Sequence, residues 1–229
     1  MSDSDSREAM KRRAGERAAE AISDGAVVGL GTGSTAAHAI AALGRAVDGG
    51  LDVTGIPTSY QSRKRALEAG IPLVDLDATE SVDVAIDGAD QVANGDLVKG
   101  GGAAHAREKI VDAAADRFLV VVDPSKEVPV LDRPVPIEVL PPARTTVARA
   151  VEDRGGDPEL RAASGKDGPV VTDNGNLVLD ADFGAIDGPA ALADSIASIP
   201  GVVAHGLFVG MVDEVIVGET DGVRTRRYG

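Results

Sequence analysis

The chain has 229 residues, 43% of them hydrophobic and 2% aromatic, and contains no cysteine. That length holds one large or two modest domains, with a core built from Val, Ala, Leu and Ile. A net charge of −14 and a pI near 4.6 exclude the basic surface on which nucleic-acid affinity rests.

The spacing of Ala9, Ala14, Ala18, Ala21 and Ile22 predicts a first helix over residues 4–22, stopped at Asp24-Gly25. Residues 26–30 read as a buried strand, the turn Gly31-Thr32-Gly33-Ser34-Thr35 follows, and 36–45 is helical. Next come a strand over 51–56, a helix with a basic face (Arg63, Lys64, Arg65) over 59–69, and a short strand over 71–76. Residues 82–86 form a strand, 103–115 an alanine-rich helix, and 118–122 a further buried strand. This alternation predicts a mostly parallel, doubly wound α/β sheet whose strand ends share one edge. Beyond Asp123 the prolines Pro124, Pro129, Pro134, Pro136, Pro141 and Pro142 mark a boundary. A strand at 137–140, a helix at 145–154, a hairpin at 170–179 around Asn174-Gly175, a helix at 189–198 and a strand at 201–208 then describe a small α+β domain. Residues 164–168 read as an exposed loop, and strands at 214–218 and 223–227 are expected to rejoin the first sheet. The expected division is a doubly wound α/β domain of residues 1–130 plus 208–229 and a small α+β domain of 131–207.

Chemistry in open α/β sheets gathers at the carboxyl ends of strands. Asp87-Gly88-Ala89-Asp90, Lys99-Gly100-Gly101-Gly102 and Glu108 crowd into 22 positions just beyond one such end. The bland reading is an acidic turn followed by a flexible glycine loop. Asp87 and Asp90 suit sugar hydroxyls or a metal. His38, His105 and His205 are scattered, so hydroxyl binding without a metal is the reading adopted, with His105 structural or exposed. Lysine is scarce, 6 against 17 arginines, which gives weight to Lys99 ahead of three glycines. A compact ammonium neutralises a phosphate or a developing oxyanion, and glycines let backbone approach a ligand. Lys126 is open between a surface lysine and a phosphate contact. Glu108 is either an exposed helix glutamate, repelled by Asp112 one turn on, or an inward general base. In the second case burial would raise its pKa from ~4.3 toward ~6–7.

The 31–35 turn joins a strand to a helix, which presents N–H groups and a helix dipole to an anion. Ser34 and Thr35 add hydroxyls that could cap the helix. The turn lacks the third glycine of a dinucleotide fingerprint and the Gly-Lys-Ser/Thr of a nucleotide loop. A small phosphate or carboxylate fits better, beside the alternative of a turn that only caps its helix.

Together with Arg107-Glu108-Lys109, these motifs resemble ribose-5-phosphate isomerase type A. The segments 171–176 (VTDNGN) and 199–203 (IPGVV) are similar to later parts of that family. Gln91 stands where the family often has Glu, and 164–168 looks like an insertion. The resemblance implies a Rossmann-like domain with a small α+β domain, assembled as a homodimer or homotetramer. It implies interconversion of D-ribose 5-phosphate and D-ribulose 5-phosphate in the pentose phosphate pathway, with no metal and no cofactor. Glu108 would move the proton between C2 and C1, and Lys99 would face the enediolate oxygen. Asp87 and Asp90 would bind hydroxyls and help open the ring, with Gly88, Ala89 and Gly100, Gly101, Gly102 beside the sugar. Thr32, Gly33, Ser34, Thr35 and Lys126 would hold the phosphate. A sugar-phosphate sensor like the effector domains of transcription repressors is a poorer reading, because only 25 residues precede the first strand. An acyl-CoA transferase-like enzyme rests on fold analogy alone.

No apolar run approaches the ~18 residues of a membrane span, and no apolar segment follows the N-terminal basic residues. With no cysteine, a cytoplasmic location is expected. Strong acidity ordinarily signals disorder, but the apolar residues here are too many and too regular. The 25 Asp against 12 Glu, with Arg replacing Lys, point to a salt-adapted surface. At ~1 M salt the Debye length is about 3 Å, which screens the self-repulsion of the acids. The melting temperature should therefore climb with salt; equal stability in dilute buffer would contradict this adaptation.

Overall fold

The computed structural model describes residues 3–165 and 167–228. Met1, Ser2 and Gly229, and Lys166 of the loop expected at 164–168, lie outside the described residues. The chain begins with α1 (Asp3–Ala19), β1 (Ala26–Leu30), α2 (Ser34–Asp48), β2 (Val53–Pro57), α3 (Tyr60–Glu68) and β3 (Val84–Asp87). Then come β4 (Gln91–Ala93), β5 (Asp96–Val98), α4 (His105–Ala114), β6 (Phe118–Val122), β7 (Val135–Val139) and α5 (Arg144–Glu152). The last elements are β8 (Asp157–Leu160), β9 (Leu177–Asp182), α6 (Pro189–Ala197), β10 (Val202–His205), β11 (Leu207–Phe208), β12 (Glu214–Glu219) and β13 (Gly222–Arg227). No described helix is long and apolar enough to cross a membrane.

Two compact units emerge. The larger comprises the chain up to Ala89, Arg107–Glu127, and the segment from Met211 onward; the smaller comprises Asp90–Ala106 and Val128–Gly210.

In the larger unit a six-stranded sheet runs β13-β12-β6-β3-β1-β2. It is parallel except for β13, which returns antiparallel to β12, so the last two strands do rejoin the first sheet. All five residues of β6 are buried, as expected for a parallel strand covered on both faces. Ala39, Ile40 and Leu43 recur at helical spacing on α2, and this stripe packs with Ala14 and Ala18 of α1 over Val28, Ile86, Leu119 and Val121. The register pairs Leu30 with Ile86 and Asp87 with Val120, which brings the ends of β1, β3 and β6 to one sheet edge. The strand expected at 71–76 shrinks to a bridge between Leu73 and Gly55. Pro72 has no N–H to give a ladder; its carbonyl accepts from Gly55 N at 2.8 Å, and the pairing stops after Val74.

In the smaller unit an antiparallel sheet, β10-β7-β9-β8, accompanies a three-stranded one, β11-β5-β4. Val135, Ile137, Val139, Val147, Val151, Leu179 and Ile196 form its core. Residues 90–106, expected with the Rossmann-like domain, group here because β5 pairs with β11, Leu207 opposite Val98. The β4–β5 hairpin escaped the sequence reading although Asn94-Gly95 announces it. Both residues hold positive φ, 51° and 90°, as the favoured two-residue hairpin turn requires. The hairpin expected at 170–179 is only a turn with one bridge, Val171 to Leu177. Both sides of β9 are occupied by β7 and β8, so the 170–172 arm finds no ladder to join. That turn is locked from below. Thr172 Oγ1 accepts the N–H groups of Asn174 and Asn176 and donates to Glu138 Oε1 at 2.9 Å, which also accepts from both asparagine amides. Pro158 and the charges of β8 suit an edge strand and hid it from the sequence analysis.

Candidate active site

The larger unit carries the glycine turn, Asp87 and Glu108. Asp87 ends β3 with no solvent exposure. Its Oδ1 accepts from Thr32 N at 3.0 Å and from Gly88 N at 2.7 Å, tying the β1 turn to the β3 end. Gly31 is what allows this approach: a Cβ there would lie 2.2 Å from Asp87 Cγ. The Thr32 hydroxyl bonds Ser59 Oγ at 2.7 Å and lies 3.0 Å from Thr58 Oγ1, so hydroxyls from the ends of β1 and β2 form one polar chain. Gly33 N donates to Gln61 Oε1 at 3.2 Å.

The expectation that Ser34 and Thr35 cap α2 does not hold. The N-cap is Gly33, at φ 116°, with no side-chain cap. Ser34 is already the first helical residue, whereas a capping hydroxyl must come from the residue outside the helix. Ser34 is exposed and Thr35 buried; Gly88 and Ala89 are half-buried beyond Asp87.

Glu108 is 4% exposed, so it turns inward on α4. Val111 and Asp112, three and four residues on, are buried on the same stripe, and a Cβ on Gly29 of β1 would stand 2.7 Å from Val111 Cγ1. The charges of Arg107 and Lys109 do not describe the face that Glu108 occupies. Arg107 lies over the Tyr60 ring, 5.5 Å from its centre. Burial lowers the Lys109 ammonium from 10.5 to about 8. Between pH 8 and 10.5 the unfolded chain therefore binds more protons at this lysine, so stability rises with pH through that window. Lys109→Met, which keeps the apolar stem, should melt higher than the parent protein at pH 7, by on the order of 2–3 kcal/mol. The difference should close above about pH 10, as denaturant melts at a series of pH values would read. Lys126 is half-buried in a turn capped by Asp123, whose Oδ1 accepts from Ser125 N at 2.9 Å. It makes no ion pair among the described residues, and nothing ties it to the Asp87 cluster.

The smaller unit carries Asp90, Lys99 and the three glycines. Asp90 Oδ2 accepts from Gly101 N at 2.8 Å, so one carboxylate oxygen holds the glycine loop. Lys99 is 2% exposed. Its N–H donates to Gly206 O at 2.8 Å, and its ammonium lies 5.3 Å from the centre of the Phe208 ring. Gly100 has φ +108°, and a Cβ there would meet His105 Nδ1 at 2.8 Å. His105 is fully buried, in keeping with a structural role. Gly101 and Gly102 are exposed.

Gly31, Thr58, Ser59, Gln61 and Phe208 are not among the site residues expected from the sequence. Gly31 and the Thr58-Ser59 pair had a signal, since both follow the carboxyl ends of parallel strands. Phe208 had none, lying 109 residues after Lys99.

The sequence matches the family described as ribose 5-phosphate isomerase A (phosphoriboisomerase A) over residues 54–222. It is 69% identical over 219 residues to "Ribose-5-phosphate isomerase A" of Haloarcula marismortui, covering 96% of each chain. Against the protein of the same name from Natronomonas pharaonis it is 65% identical, covering 99% of this chain and 100% of that one. The fold superposes on ribose 5-phosphate isomerase A of Methanocaldococcus jannaschii with a TM-score of 0.93 at 45% identity, over 99% of this chain and 100% of that one. A D-ribose-5-phosphate isomerase solved in complex with phospho-erythronic acid superposes with a TM-score of 0.95 at 44% identity, over 97% and 99% of the two chains. This chain belongs to the ribose 5-phosphate isomerase A family, enzymes that interconvert ribose 5-phosphate and ribulose 5-phosphate.

Proposed function

We propose that the interconversion runs through an enediolate, with Glu108 as the base and Lys99 as the cation beside the developing negative oxygen. The observation that carries this is burial. Asp87, Lys99 and Glu108 are 0%, 2% and 4% exposed, although all three are ionisable and lie in one 22-residue stretch. Taking charged groups from water is costly, and buried ionisable side chains are where active sites concentrate.

In the open-chain aldose, Glu108 takes the proton from C2. The electron pair of that C–H bond forms the C1–C2 double bond, and the C1 carbonyl oxygen becomes the negative end of the enediolate. Lys99 faces that oxygen. The proton of the O2 hydroxyl passes to O1; the electron pair left on O2 forms the C2 carbonyl while the C1–C2 pair takes back the proton from Glu108 at C1, leaving the ketone at C2. Asp87, held by the N–H groups of Thr32 and Gly88, and Asp90 bind hydroxyls and help open the ring. The first turn of α2, with no side-chain cap, is assigned to the phosphate with Thr32, Gly33, Ser34 and Thr35, and Lys126 supports them. The phospho-erythronic acid complex of a relative supports a sugar phosphate as the ligand.

A homodimer or homotetramer is the assembly we infer, supported by the exposed apolar side chains of Tyr60, Leu67 and Ile110; light scattering would check it. Purified protein should convert ribose 5-phosphate to ribulose 5-phosphate equally well with and without a chelator. No conversion, or conversion that the chelator stops, would overturn the reading.

A further inference from the structure

The loop after Lys99 is held on two sides. Opposite the Asp90 contact stands Arg161, just past β8, 60 residues further along the chain than Gly101. Its Nη1 donates to Gly100 O at 2.8 Å and to Gly101 O at 3.2 Å. Its Nε and Nη2 both reach the Asp180 carboxylate, Nε at 2.7 Å, in a forked ion pair. The backbone of Arg161 is fixed as well, donating to Val178 O and accepting from Val170 N, each at 2.9 Å. The guanidinium is thus pinned before it touches the loop, and only a planar fork serves carboxylate and carbonyls together.

Peptide planarity then fixes what the loop presents. In a trans peptide the N–H points opposite to the C=O. With Gly100 O on Arg161, Gly101 N–H points the other way and meets Asp90. With Gly101 O on the same guanidinium, Gly102 N–H also points away from Arg161. It makes no hydrogen bond among the described residues, and Gly102 is exposed. A loop containing Gly100 at φ +108° and Ala103 at φ +58° would not keep this shape unaided.

We propose that Arg161, anchored by Asp180, is a positioning residue that aims the Gly102 N–H as a donor to an oxygen of the sugar phosphate. The inference rests on the isomerase reading above. The isomerase reading fails if the parent protein does not turn over ribose 5-phosphate; this inference fails if the parent turns over and Arg161→Ala matches it.

Arg161→Ala should lose about 10²-fold in kcat/KM, the scale of a misplaced binding group. Millimolar guanidinium should restore part of that loss, and Arg161→Lys should fall between the two because an ammonium lacks the fork. A purely structural role would lower the melting temperature and give no guanidinium rescue. If Arg161→Ala does not fold, Asp180→Asn carries the test, since it keeps the guanidinium and removes its charged anchor; about a tenfold loss is expected. Wild-type kcat/KM in whichever variant is assayed, or a loss in Arg161→Ala that guanidinium leaves untouched, would overturn the proposal.

Discussion

Glu108→Gln should lower kcat by about 10³-fold while leaving KM within a few-fold of the parent. The amide keeps the size of the side chain and its place on α4, so packing against the sheet survives. It removes the basic carboxylate that accepts the carbon-bound proton, since an amide oxygen is far too weak a base. An interaction made only in the transition state lowers kcat and kcat/KM together, whereas a ground-state contact to the sugar would raise KM instead. Steady-state kinetics on ribose 5-phosphate separate the two. A variant that keeps more than about a tenth of parental kcat would fall outside what loss of a general base does, and would remove Glu108 from that role.

Gly31→Ala should be nearly as damaging, and for a steric reason. The added Cβ would sit 2.2 Å from both Cγ and Oδ1 of Asp87 and 2.6 Å from its Cα. Rotating the carboxylate away does not relieve the clash, because the backbone is in the way as well. Either the β1 end or the β3 end must move, and the Asp87 bonds to Thr32 N and Gly88 N are lost with it. Overpacking of this kind costs about 1–3 kcal/mol or more, and a displacement of 1 Å can cost about 10²-fold in rate. Gly222→Ala is the matching control, since nothing lies within 4 Å of a Cβ there. Melting curves and kcat/KM on both variants check the claim. Parental activity in Gly31→Ala would mean that Asp87 does not need its present position.

The parallel sheet was legible because its strands are unbroken apolar runs, and the edge carrying the chemistry followed from where those runs stop. Asp87 was legible for that reason, as the residue after VDVAI. Glu108 was only half legible. Its neighbours Arg107 and Lys109 suggest a solvated face, yet Val111 shares its stripe at a spacing of three, and that apolar residue was the available sign of an inward face. The β4–β5 hairpin is legible in Asn94-Gly95, but its strands are three residues each, too short to show alternation. Arg161 was beyond reach. Its contact with Gly100 and Gly101 depends on β8 pairing with β9, and β8 carries a proline and two acids where a strand would show alternation. Long-range polar clamps leave no local periodicity to read.

The central claim is that Glu108 moves a proton between the two carbons, and isomerisation in D₂O tests it most directly. With the parent protein, ribulose 5-phosphate formed from ribose 5-phosphate should acquire deuterium at C1, because a proton resting on a carboxylate exchanges with solvent. With Glu108→Gln the incorporation rate should fall by about 10³-fold, in step with kcat. Deuterium entering C1 at the parental rate in Glu108→Gln would contradict the account.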